Sequence, residues 1–156
     1  NKYDFQLFSG SLSPGQSGSG KIVTEVKKAA EKEKGCDIMV VDSAPGTGCP
    51  VIASLQGADL VCLITEPTPA GRADLGRILE LVQDFQLDYR VVINKADINP
   101  KITKAIKKEF GDKIIGQIGY DQKIFQSLVK LKPIVETDLK AKEEIREIYS
   151  QLRKLI

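Results

Sequence analysis

"ADLVCLITEPTPAGRADLGRILELVQDFQLDYRVVINKAD", residues Ala58–Asp97, decides the fold. It opens on a short apolar run, Ala58–Thr65, and closes on another, Tyr89–Asn94, both rich in Val and Ile. Continuous apolar runs of this length read as strands buried on both faces. Between them, Leu75, Ile78, Leu79, Val82 and Phe85 share one face of a helix over Gly71–Phe85. Strand, helix, strand is the unit from which a parallel sheet is built.

The same alternation continues on either side. "CDIMVVD" (Cys36–Asp42) and "KIIGQI" (Lys113–Ile118) are predicted as two more strands. Helices are predicted over Lys21–Lys34, with Ile22, Val26 and Ala30 on one face, and over Pro100–Phe110, with Ile102, Ile106 and Phe110. A last helix, Asp138–Ile156, carries Leu139, Ile145, Ile148, Leu152 and Ile156. The fold class is α/β: a mostly parallel sheet flanked by helices on both faces, with residues 1–156 as one domain. Residues 1–20 read as a loop or an edge strand, because Tyr3–Leu12 alternates but is interrupted by Gln6, Ser9 and Gly10.

Composition narrows the function. The 156 residues suit one domain, and 42% hydrophobic with 28% charged residues is ordinary for a soluble chain. A net charge of +2 with no basic block gives nucleic-acid binding no support. No apolar run approaches the roughly 20 residues of a spanning helix. Cys36, Cys49 and Cys62 are odd in number and widely spaced, which fits reduced thiols in the cytoplasm better than a disulfide framework. With no His and no C-x-x-C, a self-contained zinc or iron–sulfur site is not expected. Residue 1 is Asn, which suggests a piece of a longer polypeptide.

Ligands of open α/β sheets sit beyond the carboxyl ends of the strands. Four stretches occupy those places: Asp42–Gly48, Glu66–Pro69, Asn94–Asp97 and Gly119–Asp121. Asp42 ends a buried-type run with a carboxylate, which is costly to bury unless paired; in phosphate-handling proteins the partner is magnesium, held directly or through water. Gly46 and Gly48 let backbone N–H groups approach a phosphate. The alternative is that Asp42 caps the helix starting near Cys49-Pro50. In "NKAD", Asn94 can read a purine edge, Lys95 can lay its stem along the base or ribose, and Asp97 can accept from the base. Asp97 or Asn99 is also a helix N-cap before Pro100. Tyr120 can reach the same base pocket, while Asp121 caps the next helix.

"LSPGQSGSGKIVTEV" (Leu12–Val26) imitates a phosphate loop, with Gly15, Gly20 and Lys21 at G-x-x-x-x-G-K spacing. A working loop needs a buried strand before it and a hydroxyl after the lysine. Ile22 supplies no hydroxyl and Tyr3–Leu12 is a poor buried strand, so the stretch reads as a loop-to-helix turn.

The ordered strings "DIMVVDSAPGTGCPVIASLQGADLVCLITEPTPAGRADLGRILELV", "VVINKADIN" and "IGQIGYDQKIFQSLVKLKPIVE" resemble the MinD/ParA/Mrp group of deviant-Walker P-loop ATPases. The similarity runs over roughly residues 10 to 140 and is nearest to the MinD-like subfamily with an inserted ferredoxin domain. It implies a P-loop NTPase-like sheet lacking its N-terminal phosphate-loop unit. It implies that Asp42 is the Walker B aspartate, that Gly46 senses the γ-phosphate and that Asn94 and Asp97 face adenine. Glu66 and Pro67 then lie near the nucleotide and the dimer face. Ala44 stands where the family usually has Pro. The implied cofactors are ATP or ADP with magnesium, and 4Fe–4S clusters only in the absent inserted domain. The implied partners are nucleotide, a second copy in a homodimer, and a ferredoxin-like or iron–sulfur protein. ATP hydrolysis is expected of the full-length protein and little of this chain alone. The other readings are a small GTP-binding switch, against which Ile22 and the D-x-x-x-G spacing of Asp42–Gly46 count, and a non-catalytic docking domain.

Overall fold

The computed structural model describes residues 3, 5–13, 15 and 17–156. The chain divides into two compact units, Asn1–Ala58 and Asp59–Ile156.

The first unit is built on two helices, α1 (Ser19–Glu31) and α2 (Cys49–Leu55). Gly20 is where α1 meets α2: a Cβ there would stand 3.0 Å from the Cys49 carbonyl oxygen. On the predicted apolar face Ile22, Val26 and Ala30 are half-buried. The residue of α1 that is buried outright is Lys27, whose Nζ donates to the carbonyls of Ala53 (3.2 Å), Ser54 (3.1 Å) and Gln56. The ammonium thereby satisfies carbonyls that the end of α2 leaves without intrahelical partners.

Cys36–Asp42 departs from expectation. It forms no strand, and Ile38, Met39, Val40 and Val41 are exposed, Val40 at 87%. A strand exists only in a ladder, and no described residue of this unit supplies one. Apolar composition announced burial without providing the neighbour.

The second unit follows the predicted alternation: β1 (Leu60–Thr65), α3 (Pro69–Asp84), β2 (Asp88–Asn94), α4 (Pro100–Phe110), β3 (Ile114–Ile118), α5 (Gln122–Val129) and α6 (Lys140–Leu152). The strands form a parallel sheet in the order β1-β2-β3. Leu63 pairs with Val91 and Thr65 with Ile93, and α3 packs on this face. Val92 pairs with Gly116 on the opposite face, where α6 packs against β3. A Cβ at Gly116 would collide with Ile148 of α6, so the missing side chain is what admits the helix. Helices therefore cover both faces of the central strand, and Val91, Val92 and Ile93 are buried to 2% or less. Removing each such side chain from water stabilises the fold by about 1.5–3 kcal/mol. Over β1 the α6 face is open: Ile64, paired with Val92, is exposed.

The helix starts are chemically specified. Thr68 Oγ1 accepts from Gly71 N (2.9 Å), Asn99 Oδ1 from Ile102 N (3.2 Å) and Asp121 Oδ1 from Lys123 N (2.8 Å). Pro69 and Pro100 open α3 and α4, where their fixed φ suits the first turn and no N–H is missed. Asn99, not Asp97, caps α4. The last helix is shorter than the periodicity suggested, ending at Leu152, and Ile156 lies exposed beyond it.

Candidate functional site

All three strands of the second unit point the same way, so the residues following them share one rim. Glu66 and Pro67 follow β1, Lys95 and Asp97 follow β2, and Gly119 and Tyr120 follow β3, with Asn94 as the last residue of β2.

Glu66 is set by its neighbours in sequence. Thr65 Oγ1 donates to the Gly71 carbonyl (3.1 Å), the Thr68 cap holds Gly71 N, and Thr68 N donates to the Glu66 carbonyl (2.8 Å). A Cβ on Gly71 would stand 2.5 Å from the Glu66 carbonyl oxygen, so only glycine lets α3 begin this close to the strand end. Pro67 is fully buried beneath the turn.

Lys95 adopts a left-handed backbone, φ 51°, uncommon for a residue with a side chain. Asn94 makes that turn: its Oδ1 accepts from Lys95 N at 3.0 Å. Ala96 N donates to the Ile118 carbonyl (2.9 Å), and Thr103 Oγ1 donates to the Ala96 carbonyl (2.6 Å). The Lys95 ammonium lies 2.7 Å from Glu66 Oε1, joining the ends of β1 and β2. Asp97 Oδ1 accepts from Tyr120 N at 2.7 Å, joining β2 to β3. Gly119 N donates to Glu144 Oε2 of α6 (3.0 Å), whose other oxygen pairs with Lys140 (3.1 Å).

The structure thus brings Glu66, Pro67, Asn94, Lys95, Asp97 and Tyr120 onto one rim. With Asn94 Oδ1 engaged, the orientation of its amide is set and its NH₂ points away from that bond, making no hydrogen bond among the described residues. Asp97 Oδ2 is likewise uncommitted among them. The Tyr120 side chain is exposed. Glu144 escaped the sequence reading, because it lies 25 residues from Gly119 and nothing local marks the contact. Gly71 does carry a local signal: Thr-x-x-Gly after a strand, with Pro at the first helical position.

Asp42 and Gly46 belong to the first unit. The Asp42 side chain is exposed and makes no hydrogen bond or ion pair among the described residues. It does not cap α2, whose N-cap is Gly48 without a side-chain bond. Gly46 has φ 94°, a left-handed turn that favours glycine. In the Leu12–Val26 stretch, Gly15 and Gly18 are left-handed, α1 begins at Ser19, and no strand precedes it among the described residues. Pro14 and Gln16 of that stretch, and Asn1, Lys2 and Asp4 of the proposed edge segment, lie outside the described residues. No described group of three or more His, Cys, Asp or Glu could hold a metal ion. No described helix is long and apolar enough to cross a membrane.

No family model matches the chain. An uncharacterized protein of Methanocaldococcus jannaschii is 32% identical over 152 residues, covering 97% of this chain and 52% of that protein. An uncharacterized ATP-binding protein of the same organism is 27% identical over 122 residues, 76% of this chain and 47% of its own length. The chain therefore spans about half the length of these relatives. Among solved structures, the Pyrococcus furiosus cell division ATPase MinD superposes with a TM-score of 0.71 at 16% identity, over 88% of this chain and 59% of that one. MinD of Aquifex aeolicus gives 0.72 at 19%, over 86% and 61%. The chain has the MinD-like P-loop NTPase fold.

Proposed function

We propose that residues 1–156 are the nucleotide-binding half of a MinD-like ATPase that binds ATP at the rim formed by Glu66, Asn94, Lys95, Asp97 and Tyr120. The observation that carries this reading is the placement of those residues at the strand ends of a MinD-like sheet, with the Asn94 NH₂ and an Asp97 oxygen uncommitted among the described residues. An amide NH₂ suits the N7 acceptor of a purine, and a carboxylate oxygen suits an exocyclic amine. The likeness to an ATP-binding protein adds support.

Asp42 fits a magnesium site. Magnesium keeps several waters and takes one or two carboxylates together with substrate phosphates, and the exposed Asp42 carboxylate, without a partner among the described residues, is such a donor. When bound, the ion neutralises charge on the phosphates. In this reading Asp42 holds it directly or through water, and the left-handed turn at Gly46 offers backbone N–H groups to a phosphate. The main phosphate-gripping loop is not supplied by Leu12–Val26 and belongs to polypeptide outside these residues. The intact protein is then a cytoplasmic homodimer of the ferredoxin-insert subfamily, its 4Fe–4S clusters carried by the insert and its partner an iron–sulfur protein.

Calorimetry on the intact protein with magnesium and non-hydrolysable ATP and GTP analogues tests the reading. ATP-analogue binding that Asn94→Ala and Asp42→Asn each weaken at least tenfold is expected. Preference for the GTP analogue, which the N-K-x-D pattern also permits, would instead make the protein a GTP-binding switch. Binding of neither would leave a docking domain. The 156-residue chain by itself is expected to hydrolyse ATP no faster than background.

A further inference from the structure

The Glu66–Lys95 pair links the carboxyl ends of two neighbouring strands, and both of its backbones are held in place. Lys95 is held in a left-handed turn by the Asn94 side chain, while the carbonyl of Lys95 accepts from Ile98 N at 3.1 Å. Glu66 is held by the Thr65–Gly71 and Thr68–Gly71 bonds and by the close approach of Gly71. Both backbones are fixed, so the 2.7 Å contact between their tips sets the course of the lysine side chain. Its four methylenes run from the end of β2 towards the end of β1. The Lys95 and Glu66 side chains are 40% and 38% exposed, so the stem lies along the surface of the rim rather than within the core.

Resting on the nucleotide-binding reading, we infer that Glu66 is a positioning residue: by holding the Lys95 ammonium it lays the lysine stem flat across the rim as an apolar shelf for the purine ring. An ammonium without such a partner would swing towards the most negative group within reach, which in a bound nucleotide is a phosphate. Glu66 opposes that. It neutralises the charge at the base end of the site and leaves a hydrocarbon surface, which suits an aromatic ring. Lys95 thereby contributes to holding the base and not to gripping phosphate. The free Asn94 amide and Asp97 oxygen, next to the stem in sequence, then read the edge of a ring that the stem supports from below.

The test measures AMP and magnesium–ATP binding to the intact protein by calorimetry, for the wild type, Glu66→Gln, Lys95→Met and the double variant. Lys95→Met retains a stem of similar length without the charge that anchors it. An exposed pair contributes at most about 1 kcal/mol, which corresponds to about a fivefold change in affinity. Lys95→Met is expected to weaken AMP and ATP by the same factor, about threefold to fivefold, Glu66→Gln to weaken AMP by about that factor and ATP by less, because the freed ammonium then turns to the phosphates, and the double variant to be no weaker than Lys95→Met. A merely structural pair would not make the Glu66→Gln loss depend on the number of phosphates, because distortion of the rim weakens both nucleotides alike. An ATP-specific loss in Lys95→Met would assign the ammonium to phosphate in the wild type, and equal losses of AMP and ATP in Glu66→Gln would show that Glu66 does not hold it away; either overturns the inference. So would unchanged AMP and ATP affinity in Glu66→Gln beside a wild type that binds. Absence of nucleotide binding by the wild type would overturn the functional reading itself, and the inference with it.

Discussion

The Asp97 carboxylate accepts the backbone N–H of Tyr120 at 2.7 Å, so a residue just past β2 fixes the course of the chain leaving β3. The bond is made by a side-chain oxygen and a main-chain donor. Replacing the side chain therefore strands the donor, whereas an amide can still accept. Asp97→Ala is expected to destabilise the fold by about 1 kcal/mol and Asp97→Asn by less than half of that. Urea unfolding of the two variants decides it; equal losses would show that the bond contributes nothing as an anchor.

Gly116 admits α6 to the sheet because it lacks a side chain where Ile148 lies. Gly116→Ala overpacks that contact and is expected to cost about 1–3 kcal/mol. Truncating the neighbour makes room, so Gly116→Ala with Ile148→Ala should cost clearly less than the two single losses added together, as contacting residues do. Additive losses in thermal unfolding would mean that the helix already stands clear of position 116.

Much of the second unit was legible in advance, and the reason is local. Pro100–Phe110 was bounded correctly because Asn99, Pro100 and the spacing of Ile102, Ile106 and Phe110 all act within the segment itself. The runs at Leu60–Thr65, Asp88–Asn94 and Ile114–Ile118 find one another as partners, and their apolar content matches the burial that follows. Cys36–Asp42 carries the same content and stays unpaired, since a ladder partner is a property of the neighbour and not of the run. At the candidate site, chain order placed Glu66, Asn94, Lys95, Asp97 and Tyr120 on one rim, because parallel strands put their ends together. The Glu66–Lys95 contact and the reach of Glu144 to Gly119 were invisible beforehand: they depend on register and on the docking of α6. Lys27 was hidden for the opposite reason, since a lysine among half-buried apolar residues reads as surface until its acceptors are known.

Those acceptors yield a third prediction. Lys27 Nζ donates to the carbonyls of Ala53, Ser54 and Gln56, and Lys27 is 9% exposed. Lys27→Met keeps the packing of the stem and removes the ammonium, leaving carbonyls at the end of α2 without partners. A loss of about 2 kcal/mol is expected, together with faster amide exchange in α2 than in α4. A variant as stable as the parent, with α2 exchange unchanged, would show that water replaces the ammonium freely.

Cys62 stands on the uncovered face of β1 beside Ile64, yet enough protein surrounds its sulfur that burial pushes the thiol pKa above its ordinary value. Burial disfavours the thiolate, which is the nucleophile. The folded chain therefore holds this proton more tightly than the unfolded chain does. The stabilisation from that difference is complete below the ordinary thiol range and declines as pH rises through it to the folded value. At neutral pH, iodoacetamide should label Cys62 more slowly in the folded protein than in the urea-unfolded chain, and raising the pH should narrow the gap. Site-resolved mass spectrometry reads both rates at one position, so Cys62 serves as its own reference. A ratio of folded to unfolded rates that does not change with pH would assign the protection to steric shielding instead. Equal rates at neutral pH would mean that the open face of β1 leaves the sulfur fully solvated.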